Sequence, residues 1–561
     1  MKRISAAILA ALLAAGAAAT APQVRLAYNY CTLSYTFAYY SDAEWEAEAD
    51  RLAAAGFNTA LVTDGTFKVW QLTLRECGYC DDAIAKFIPD ECARAWWLMG
   101  NLTGEGGPID NATIDADGER GRRIAALMRS RGIEPVLHGF MGMMPLGHPG
   151  AIPQGRWSCY ERPPLLDPTK PEYARLAAIW HKNLERVYGF KPKYLAGDLF
   201  HEGGNTAGID VTAATRAVQA AQQAAFPGVV WIVQAWQENP TAAVRAGLDP
   251  RHTLIEALVK DMGVYARDGE AVTGFGDLPW IWCEVLNFGG NHGLYGNLRT
   301  FARLGRAAKG RAAATFRGYG ALSEGFFTNE VCSDLFEHMM MQPVGEEMND
   351  AALESWLRDW VARRYASNDE RFFAAWKILA ETVYSCARPQ EGTVENVMCA
   401  EPAWDVTSVS TWGPRGGLWY RPDRLATALA LMEAAAAEAE ATPKLRQDIA
   451  DVKRQIIANR ARALVPSLRT DAAARKEFLS LFPALAAAVE GVDAFSLERE
   501  ETRARNRAGE RGVAAFRRMV TTWTSPSLAP NSLCDYANRE YGRLVLEYYL
   551  PRWKKVLSPE S

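Results

Sequence analysis

The sequence lacks several features that mark common functional classes. It has 62 basic and 66 acidic residues and a net charge of −4, so no basic excess indicates a nucleic acid or an anionic membrane surface as partner. After residue 21, no stretch reaches the roughly 18–20 apolar residues that cross a bilayer. The first predicted strand is not followed by the Gly-x-Gly-x-x-Gly pattern of dinucleotide-binding folds. We therefore expect no nucleic acid partner, no membrane span and no bound cofactor.

Cysteine and histidine are also sparse, with ten and seven residues in a chain of 561. Ten cysteines are too few for a disulfide scaffold, although the cluster Cys77, Cys80 and Cys92 predicts one local disulfide. The Cys77–Cys80 spacing is that of a redox pair, but the surrounding βαβ pattern is missing. No second Cys-x-x-Cys follows and the histidines are scattered, so we expect no zinc or other metal site.

The first 21 residues have the pattern of a secretory signal peptide. Lys2 and Arg3 form a charged start, residues 4–18 form an apolar segment, and residues 19–21 form a small-residue cleavage site. The apolar segment is short and alanine-rich for a membrane span. We therefore expect an exported protein, either periplasmic or secreted.

Strand and helix patterns alternate about eight times between residues 22 and 345. The predicted strands cover residues 24–28, 57–62, 133–138, 193–198, 229–234, 252–259, 280–285 and 313–319, of which the sixth is ambiguous. Continuous apolar strands with helical crossovers predict a parallel sheet covered on both faces. Eight repeats favour an α/β fold of the (β/α)8, TIM-like barrel type over a doubly wound open sheet.

The strands stop at about residue 345. Residues 346–561 contain long segments rich in Ala, Leu, Glu and Arg with helical periodicity, which predict an all-α C-terminal domain. The last predicted helix covers residues 535–550 and ends at Pro551.

Two glutamates follow predicted barrel strands on glycine-flanked turns. Glu202 follows the fourth strand and Glu324 follows the eighth. Because the carboxyl ends of barrel strands gather at one face, we expect both carboxylates there. Two carboxylates beside a bound sugar suffice for glycoside hydrolysis, since one donates a proton and the other attacks or stabilises the anomeric centre. The alternative for Glu202 is an ordinary strand-end acid that caps a helix.

The segment 287–297 follows the seventh strand and contains four glycines and three asparagines in eleven residues. Such a composition lets the backbone approach a ligand closely. It is not a phosphate-binding loop, because no Gly-Lys-Ser/Thr follows. A ligand-binding loop and a structural turn both remain open from the residues alone.

Longer motifs run in order through most of the chain. They cover residues 29–37, 99–102, 107–108, 132–137, 198–202, 281–283, 287–296, 323–325 and 535–538. With these motifs the chain resembles glycoside hydrolase family 89, the alpha-N-acetylglucosaminidases. The resemblance implies a retaining exo-hydrolase that removes terminal alpha-linked N-acetylglucosamine from a glycan. It implies nothing about the oligomeric state.

The resemblance also assigns roles to residues of this sequence. Glu202 matches the general acid/base and Glu324 the nucleophile. The residues that match the wall of the sugar pocket are Asn29, Cys31, Tyr35, Trp236, Val285 and Phe288 from the barrel, and Trp523, Leu533 and Tyr536 from the helical domain. If these matches hold, the two domains share one active site.

Three residues depart from the family pattern near the pocket. His201 stands where the family has asparagine, Glu105 where it has tryptophan, and Glu284 where it has an apolar residue. We interpret this as intact hydrolytic machinery with a shifted sugar preference, in which the added carboxylates either select a basic or unacetylated amino sugar such as glucosamine or bind another hydroxyl pattern. The alternative is that Glu105 and Glu284 lie behind the pocket or in solvent. A non-catalytic glycan-binding protein is a third interpretation, against which the retention of both glutamates argues.

Overall fold

The computed structural model describes residues 23–157, 159–260, 274–309, 313–326, 328–386, 396–406, 418–521 and 537–558. The predicted signal peptide lies outside these ranges. None of the helices within them is long and apolar enough to cross a bilayer.

Eight parallel strands form a closed barrel. They are β1 (Val24–Ala27), β2 (Thr59–Leu61), β3 (Glu134–His138), β4 (Tyr194–Ala196), β5 (Val230–Ala235), β6 (Thr253–Lys260), β7 (Trp280–Val285) and β8 (Phe316–Ala321). Each strand pairs with its neighbours in the chain, and β8 closes the barrel on β1 through the pairs Val24–Gly318 and Ala27–Ala321. The predicted (β/α)8 barrel is confirmed, and the ambiguous sixth segment is a barrel strand.

The strands are buried on both faces, as a sheet between side chains and helices requires. All six residues of β7 are buried. Val285 of β7 lines a cavity at the mouth of the barrel. Alternation along β7 then directs Cys283 inward as well, and Glu284 outward.

Helices follow the strands and surround the barrel. Their bounds are Tyr30–Tyr35, Asp42–Ala54, Thr66–Glu76, Asp81–Phe87, Arg94–Leu98, Asn111–Ser130, Pro171–Tyr188, Val211–Ala225, Ala242–Gly247, Leu298–Ala302 and Glu330–Met340. The helix Asp42–Ala54 begins with a capping box between Ser41 and Glu44. The segment after β1 is also helical, with Asn29 and Thr32 forming its capping box. The Thr32 hydroxyl donates to the Ser323 carbonyl at 2.8 Å and so ties this helix to the turn after β8.

The C-terminal part is all-α, as predicted. Its helices are Asp350–Tyr365, Glu370–Glu381, Asp423–Ala436, Pro443–Leu464, Ala472–Ala488, Leu497–Thr521, Gly542–Leu544 and Leu550–Leu557. The prediction for the tail is wrong, because Pro551 lies in the first turn of a helix and does not end one. The backbone is already helical at Tyr549 and Leu550, so the chain continues in a helical conformation through Pro551. A π-helical turn, Val545–Tyr549, precedes it.

Arginines of the helix Leu497–Thr521 attach the helical domain to acids of the barrel. Arg503 pairs with Glu44 at 2.5 Å and Arg511 with Glu91 at 2.8 Å. Arg518 pairs with both Asp90 and Glu105. The junction is therefore polar as well as apolar, and it fixes the helical domain beside the carboxyl ends of the strands.

A buried ion cluster stabilises the segment between β2 and β3. Arg94 lies 2.5 Å from Asp117 and 3.1 Å from Asp64, and Arg120 lies 2.5 Å from Asp64. All four side chains are buried. Arg94 begins the short helix that also carries Trp96, so this cluster determines where that helix lies against the barrel.

Replacing one acid of this cluster tests its contribution. Asp117→Asn keeps the shape but leaves two buried guanidinium groups with one carboxylate, and we expect the free energy of unfolding to fall by roughly 3 kcal/mol. Urea unfolding measures the change. The control is Asp82→Asn, whose exposed partner Lys86 is solvated without it, so its stability should stay unchanged. Equal effects of the two substitutions would contradict the prediction.

Candidate active site

A cavity opens at the carboxyl ends of the barrel strands. The described residues that line it are Asn29, Cys31, Trp96, Met99, Trp157, His201, Glu202, Gln234, Trp236, Gln237, Leu258, Val285, Phe288 and Glu324. Both predicted catalytic glutamates are among them, although they are separated by more than a hundred residues in the chain. The closed barrel brings them together because its strand ends converge on one face.

The turn after β4 presents Glu202 in a strained backbone conformation. Phe200 and Glu202 have φ angles of 62° and 47°, a left-handed region that residues with a Cβ rarely adopt. Arg162 holds the turn, because its guanidinium donates to the carbonyls of His201 and Glu202, each at 2.9 Å. Such strain persists only where surrounding contacts enforce it, and it is common at functional sites.

Three neutral N–H groups hold the Glu202 carboxylate. Asn101 donates to Oε2 at 2.8 Å, while Trp236 Nε1 and Gln237 Nε2 each donate to Oε1 at 3.1 Å. The donors come from three separate segments of the barrel face, so the carboxylate has one defined direction. Glu202 is therefore not a helix-capping acid.

The turn after β8 fixes Glu324 on both its backbone and its side chain. Its N–H donates to the Leu286 carbonyl and its carbonyl accepts from the Thr36 hydroxyl, both at 2.9 Å. The Gly289 N–H donates to the carboxylate Oε2 at 2.5 Å. Cys31 lies beside this carboxylate, and burial together with the negative charge of Glu324 raises the pKa of the thiol well above its usual value. Cys31 is therefore a neutral thiol.

His201 lies between two acids. Its Nδ1 is 3.0 Å from Asp198 Oδ2 and its Nε2 is 3.9 Å from Glu202 Oε2. Gln234 holds Asp198 by donating its backbone N–H at 2.9 Å and its side-chain amide at 2.5 Å. Burial opposes the charged imidazolium, but the hydrogen bond to Asp198 and the charges of both acids outweigh burial and raise the pKa of His201.

Aromatic pairs form two sides of the cavity. Trp96 and Trp157 stack with ring centroids 4.7 Å apart and planes 28° apart. Trp236 and Phe288 lie 5.9 Å apart at 32°. These flat apolar faces beside polar donors suit a sugar ring, which has apolar C–H faces and hydroxyl edges. Trp157 belongs to a small hairpin inserted after β3.

The structure brings together most of the predicted lining residues, namely Asn29, Cys31, His201, Trp236, Val285 and Phe288. Tyr35 is buried behind the wall, where its hydroxyl accepts from Trp96 Nε1 at 2.8 Å. The three candidates from the helical domain, Trp523, Leu533 and Tyr536, lie outside the described residues.

The structure does not support a pocket wall that contains Glu105 and Glu284. Glu284 faces away from the barrel axis, where its Oε1 accepts from the Ser323 hydroxyl at 2.7 Å. Burial raises its pKa to about 8, although the hydrogen bond from Ser323 acts in the opposite direction. Glu105 pairs with Arg518 at 3.1 Å on the domain junction. The added acids therefore lie behind the pocket, and selection of a basic sugar by them is not supported.

Several functional residues escaped the sequence analysis. Asn101 and Met99 stand in a noted motif but received no role, because the motif itself does not show that Asn101 reaches Glu202. Gln234 was assigned to the end of the fifth strand, where a polar residue after an apolar run is a usable signal. No local pattern in the sequence indicates that Trp157 lines the cavity, because its position depends on a hairpin that folds back over the mouth of the barrel.

Neither a disulfide nor a metal centre is formed by the described residues around the site. The local disulfide expected from Cys77, Cys80 and Cys92 is absent, since all three are free thiols. Cys92 is buried and donates to the Tyr39 hydroxyl. Within the described ranges no group of three or more His, Cys, Asp or Glu side chains is arranged to hold a metal ion.

A closed (β/α)8 barrel with two held glutamates in an aromatic-walled cavity at its carboxyl face has the architecture of the barrel glycoside hydrolases. Residues 25–343 match the alpha-N-acetylglucosaminidase (NAGLU) TIM-barrel domain. Residues 356–559 match the alpha-N-acetylglucosaminidase (NAGLU) C-terminal domain. The chain belongs to the alpha-N-acetylglucosaminidase family.

Two relatives show how far the similarity extends. The human alpha-N-acetylglucosaminidase is 29% identical over 96% of this chain and 75% of its own length. A family 89 glycoside hydrolase from Clostridium perfringens is 27% identical with a TM-score of 0.88, over 96% of this chain and 63% of its own. The chain thus spans less than two thirds of that enzyme. The Clostridium enzyme was solved with 2-acetamido-1,2-dideoxynojirmycin, with PUGNAc and with its substrate GlcNAc-alpha-1,4-galactose.

The protonation of Glu284 predicts a pH-dependent stability. The pKa of Glu284 is about 8 in the folded protein, against 4.5 for an unperturbed glutamate. The stability that comes from this shift is therefore fully present below about pH 4.5 and is lost as the pH rises through 8. Between pH 5 and pH 8.5 the parent should lose on the order of 4 kcal/mol of unfolding free energy through Glu284, and Glu284→Gln should remove this loss. Urea unfolding at the two pH values measures this. The exposed Glu119→Gln is the control, and equal pH slopes in the parent and Glu284→Gln would contradict the prediction.

Proposed function

We propose that this protein is a retaining exo-glycosidase that removes terminal, non-reducing, alpha-linked N-acetylglucosamine from glycans. The observation that carries the proposal is the pair Glu202 and Glu324 in one aromatic-walled cavity. The family gives the sugar, since the human relative is an alpha-N-acetylglucosaminidase and the Clostridium relative has GlcNAc-alpha-1,4-galactose as its substrate. The signal-like residues 1–21 support export to the periplasm or the medium.

In the first step Glu202 protonates the glycosidic oxygen while Glu324 attacks the anomeric carbon. The bond from the anomeric carbon to the leaving oxygen breaks as the bond to the Glu324 carboxylate forms. Gly289 holds Oε2 of Glu324, which restricts the direction of the attacking carboxylate. Cys31 stays uncharged beside it and adds no repulsion to the attacking carboxylate.

In the second step Glu202 takes a proton from water, and the water displaces Glu324 from the anomeric carbon. Two displacements on the same carbon retain its configuration. Exo action is supported by the size of the cavity, about 130 Å³, which is below the roughly 300–1,000 Å³ of sites for drug-sized ligands and suits one terminal sugar.

The alternative of a shifted sugar preference now depends on His201. It lines the cavity in place of the family's asparagine, and Asp198 engages its Nδ1 so that Nε2 lies on the Glu202 side. An imidazolium there donates a charge-assisted hydrogen bond, whereas an asparagine amide both donates and accepts. The alternative of a non-catalytic glycan-binding protein has no comparable support, since both glutamates are held in defined directions.

Substitution of the two glutamates tests the catalytic roles. Glu324→Gln should lower kcat by at least about 10⁴-fold, because no carboxylate remains to attack. Glu202→Ala should keep substantial activity on aryl glycosides with activated leaving groups, which need no protonation, and azide should accelerate it. Product analysis by NMR should show the alpha anomer first. Undiminished turnover by Glu324→Gln removes it from the nucleophile role, and a beta product rules out retention. Glu119→Gln is the matched control on the surface.

A panel of chromogenic alpha-glycosides, assayed with the parent and with His201→Asn, tests the sugar preference. We expect the parent to cleave the N-acetylglucosaminide fastest, and His201→Asn to change kcat/KM for this sugar relative to the glucosaminide by about tenfold, as one substrate hydrogen bond allows. Preference of the parent for another sugar supports the shifted glycosidase. Glycan binding with no cleavage of any member supports the binding protein.

A further inference from the structure

The loop that holds the nucleophile is itself held by the helical domain. Arg539 donates from its guanidinium to the carbonyl of Gly289, the residue whose N–H donates to Glu324 Oε2. Arg539 follows the last long helix by some eighteen residues and lies 250 residues from Gly289 in the chain. A direct chain of two hydrogen bonds thus connects a buried arginine of one domain to the carboxylate of the other.

The same guanidinium also reaches the second segment that flanks Glu324. It donates to the Tyr35 carbonyl at 3.3 Å, one residue before Thr36, whose hydroxyl donates to the Glu324 carbonyl. Arg539 therefore joins the loop after β7 to the helix after β1 on either side of the nucleophile. Both contacts are buried.

Glycines make room for the guanidinium this close to Glu324. A Cβ on Gly290 would lie 2.2 Å from an Arg539 nitrogen, and Gly290 itself has a φ of 72°. A Cβ on Gly325, next to Glu324, would lie 2.8 Å from the Gly290 backbone. The glycines that the sequence analysis singled out thus let three backbone segments and one arginine pack around the nucleophile.

Further contacts from the helical domain hold the rest of this loop. The Glu540 N–H donates to His292 Nδ1 at 3.1 Å, and the Leu294 N–H donates to Gln455 Oε1 at 2.8 Å. Arg454 holds Glu540 through two 3.0 Å hydrogen bonds. These contacts fix the loop as a whole, whereas Arg539 acts on the residue that binds the carboxylate.

The chemistry of Arg539 indicates more than a stabilising role. Its side chain donates to the carbonyls of Gly289, Tyr35, Ala537 and Asn538. It also hydrogen-bonds Tyr541. Burial raises the pKa of Glu500, and the charge of Arg539 opposes this rise. A buried charge is costly to stability unless such partners satisfy it. Placed here, the charge keeps the Gly289 carbonyl turned toward the helical domain, and the adjoining N–H toward Glu324.

We propose that Arg539 is a positioning residue for the nucleophile, which couples the docking of the helical domain to the direction of the Glu324 carboxylate. The inference rests on the proposed function, in which Glu324 attacks the anomeric carbon. It predicts a defect in turnover with little change in substrate affinity, because Arg539 contacts the loop and not the sugar cavity.

The test uses the full chain with Arg539→Met, which keeps the apolar volume and removes the donors, and Arg539→Lys, which keeps a cationic donor. We expect Arg539→Met to lower kcat by about 100-fold, as a misplaced reacting group does, with KM within about threefold. Arg539→Lys should lose only about tenfold. Arg539→Met should lose the same factor in kcat on aryl glycosides with poor and with activated leaving groups, and azide should not restore its activity. Glu202→Ala differs on both points.

The matched control is Arg543→Met in the same segment. Arg543 pairs with Glu501 at 2.7 Å inside the helical domain, so its loss weakens that domain without touching the loop, and kcat should stay within about threefold. The inference is overturned if Arg539→Met keeps kcat, if lysine performs no better than methionine, or if Arg543→Met loses kcat equally. Should the methionine variant not fold, unchanged kcat in Arg539→Lys overturns it. An active Glu324→Gln would instead refute the proposed function.

Discussion

The hydrogen bond from the Gly289 N–H to the Glu324 carboxylate is the contact on which the site depends. In the proposed mechanism this carboxylate attacks one carbon, so it has to be ionised and directed. A backbone donor directs it without adding charge, and the Gly289 N–H holds Oε2 at 2.5 Å. The donor exists only because the loop adopts a glycine conformation there, with φ of 63° at Gly289.

Among the described residues, the Glu202 carboxylate is held by side-chain donors and not by a backbone N–H. In the proposed mechanism Glu202 exchanges a proton, and the hydrogen-bond donors that contact its carboxylate are neutral. The amides and indole that touch it direct both oxygens, and Arg162 acts on the backbone of the turn. The His201 Nε2 stays 3.9 Å from the carboxylate, and its Nδ1 lies 3.0 Å from Asp198 Oδ2.

The two domains depend on each other at this face. Arginines of the helix Leu497–Thr521 pair with Glu91 and Asp90, which follow β2. Arg539 and Glu540 hydrogen-bond to the loop after β7. Glu105 contributes to this junction by pairing with Arg518. It therefore belongs to the contact between the domains and does not line the cavity.

The sequence by itself determined the order of the elements and the placement of two acids at the ends of barrel strands. The apolar strands, their helical crossovers and the glycine-flanked acids are local patterns, which is why β7 was predicted with its observed bounds and why Glu202 and Glu324 were found. Tertiary structure decided what each side chain faces. Alternation along β7 turned Glu284 out of the pocket, a hairpin brought Trp157 into it, and Arg539 reached Gly289 across 250 residues. Contacts of that kind follow from strand registry and domain docking, which no local spacing of residues encodes.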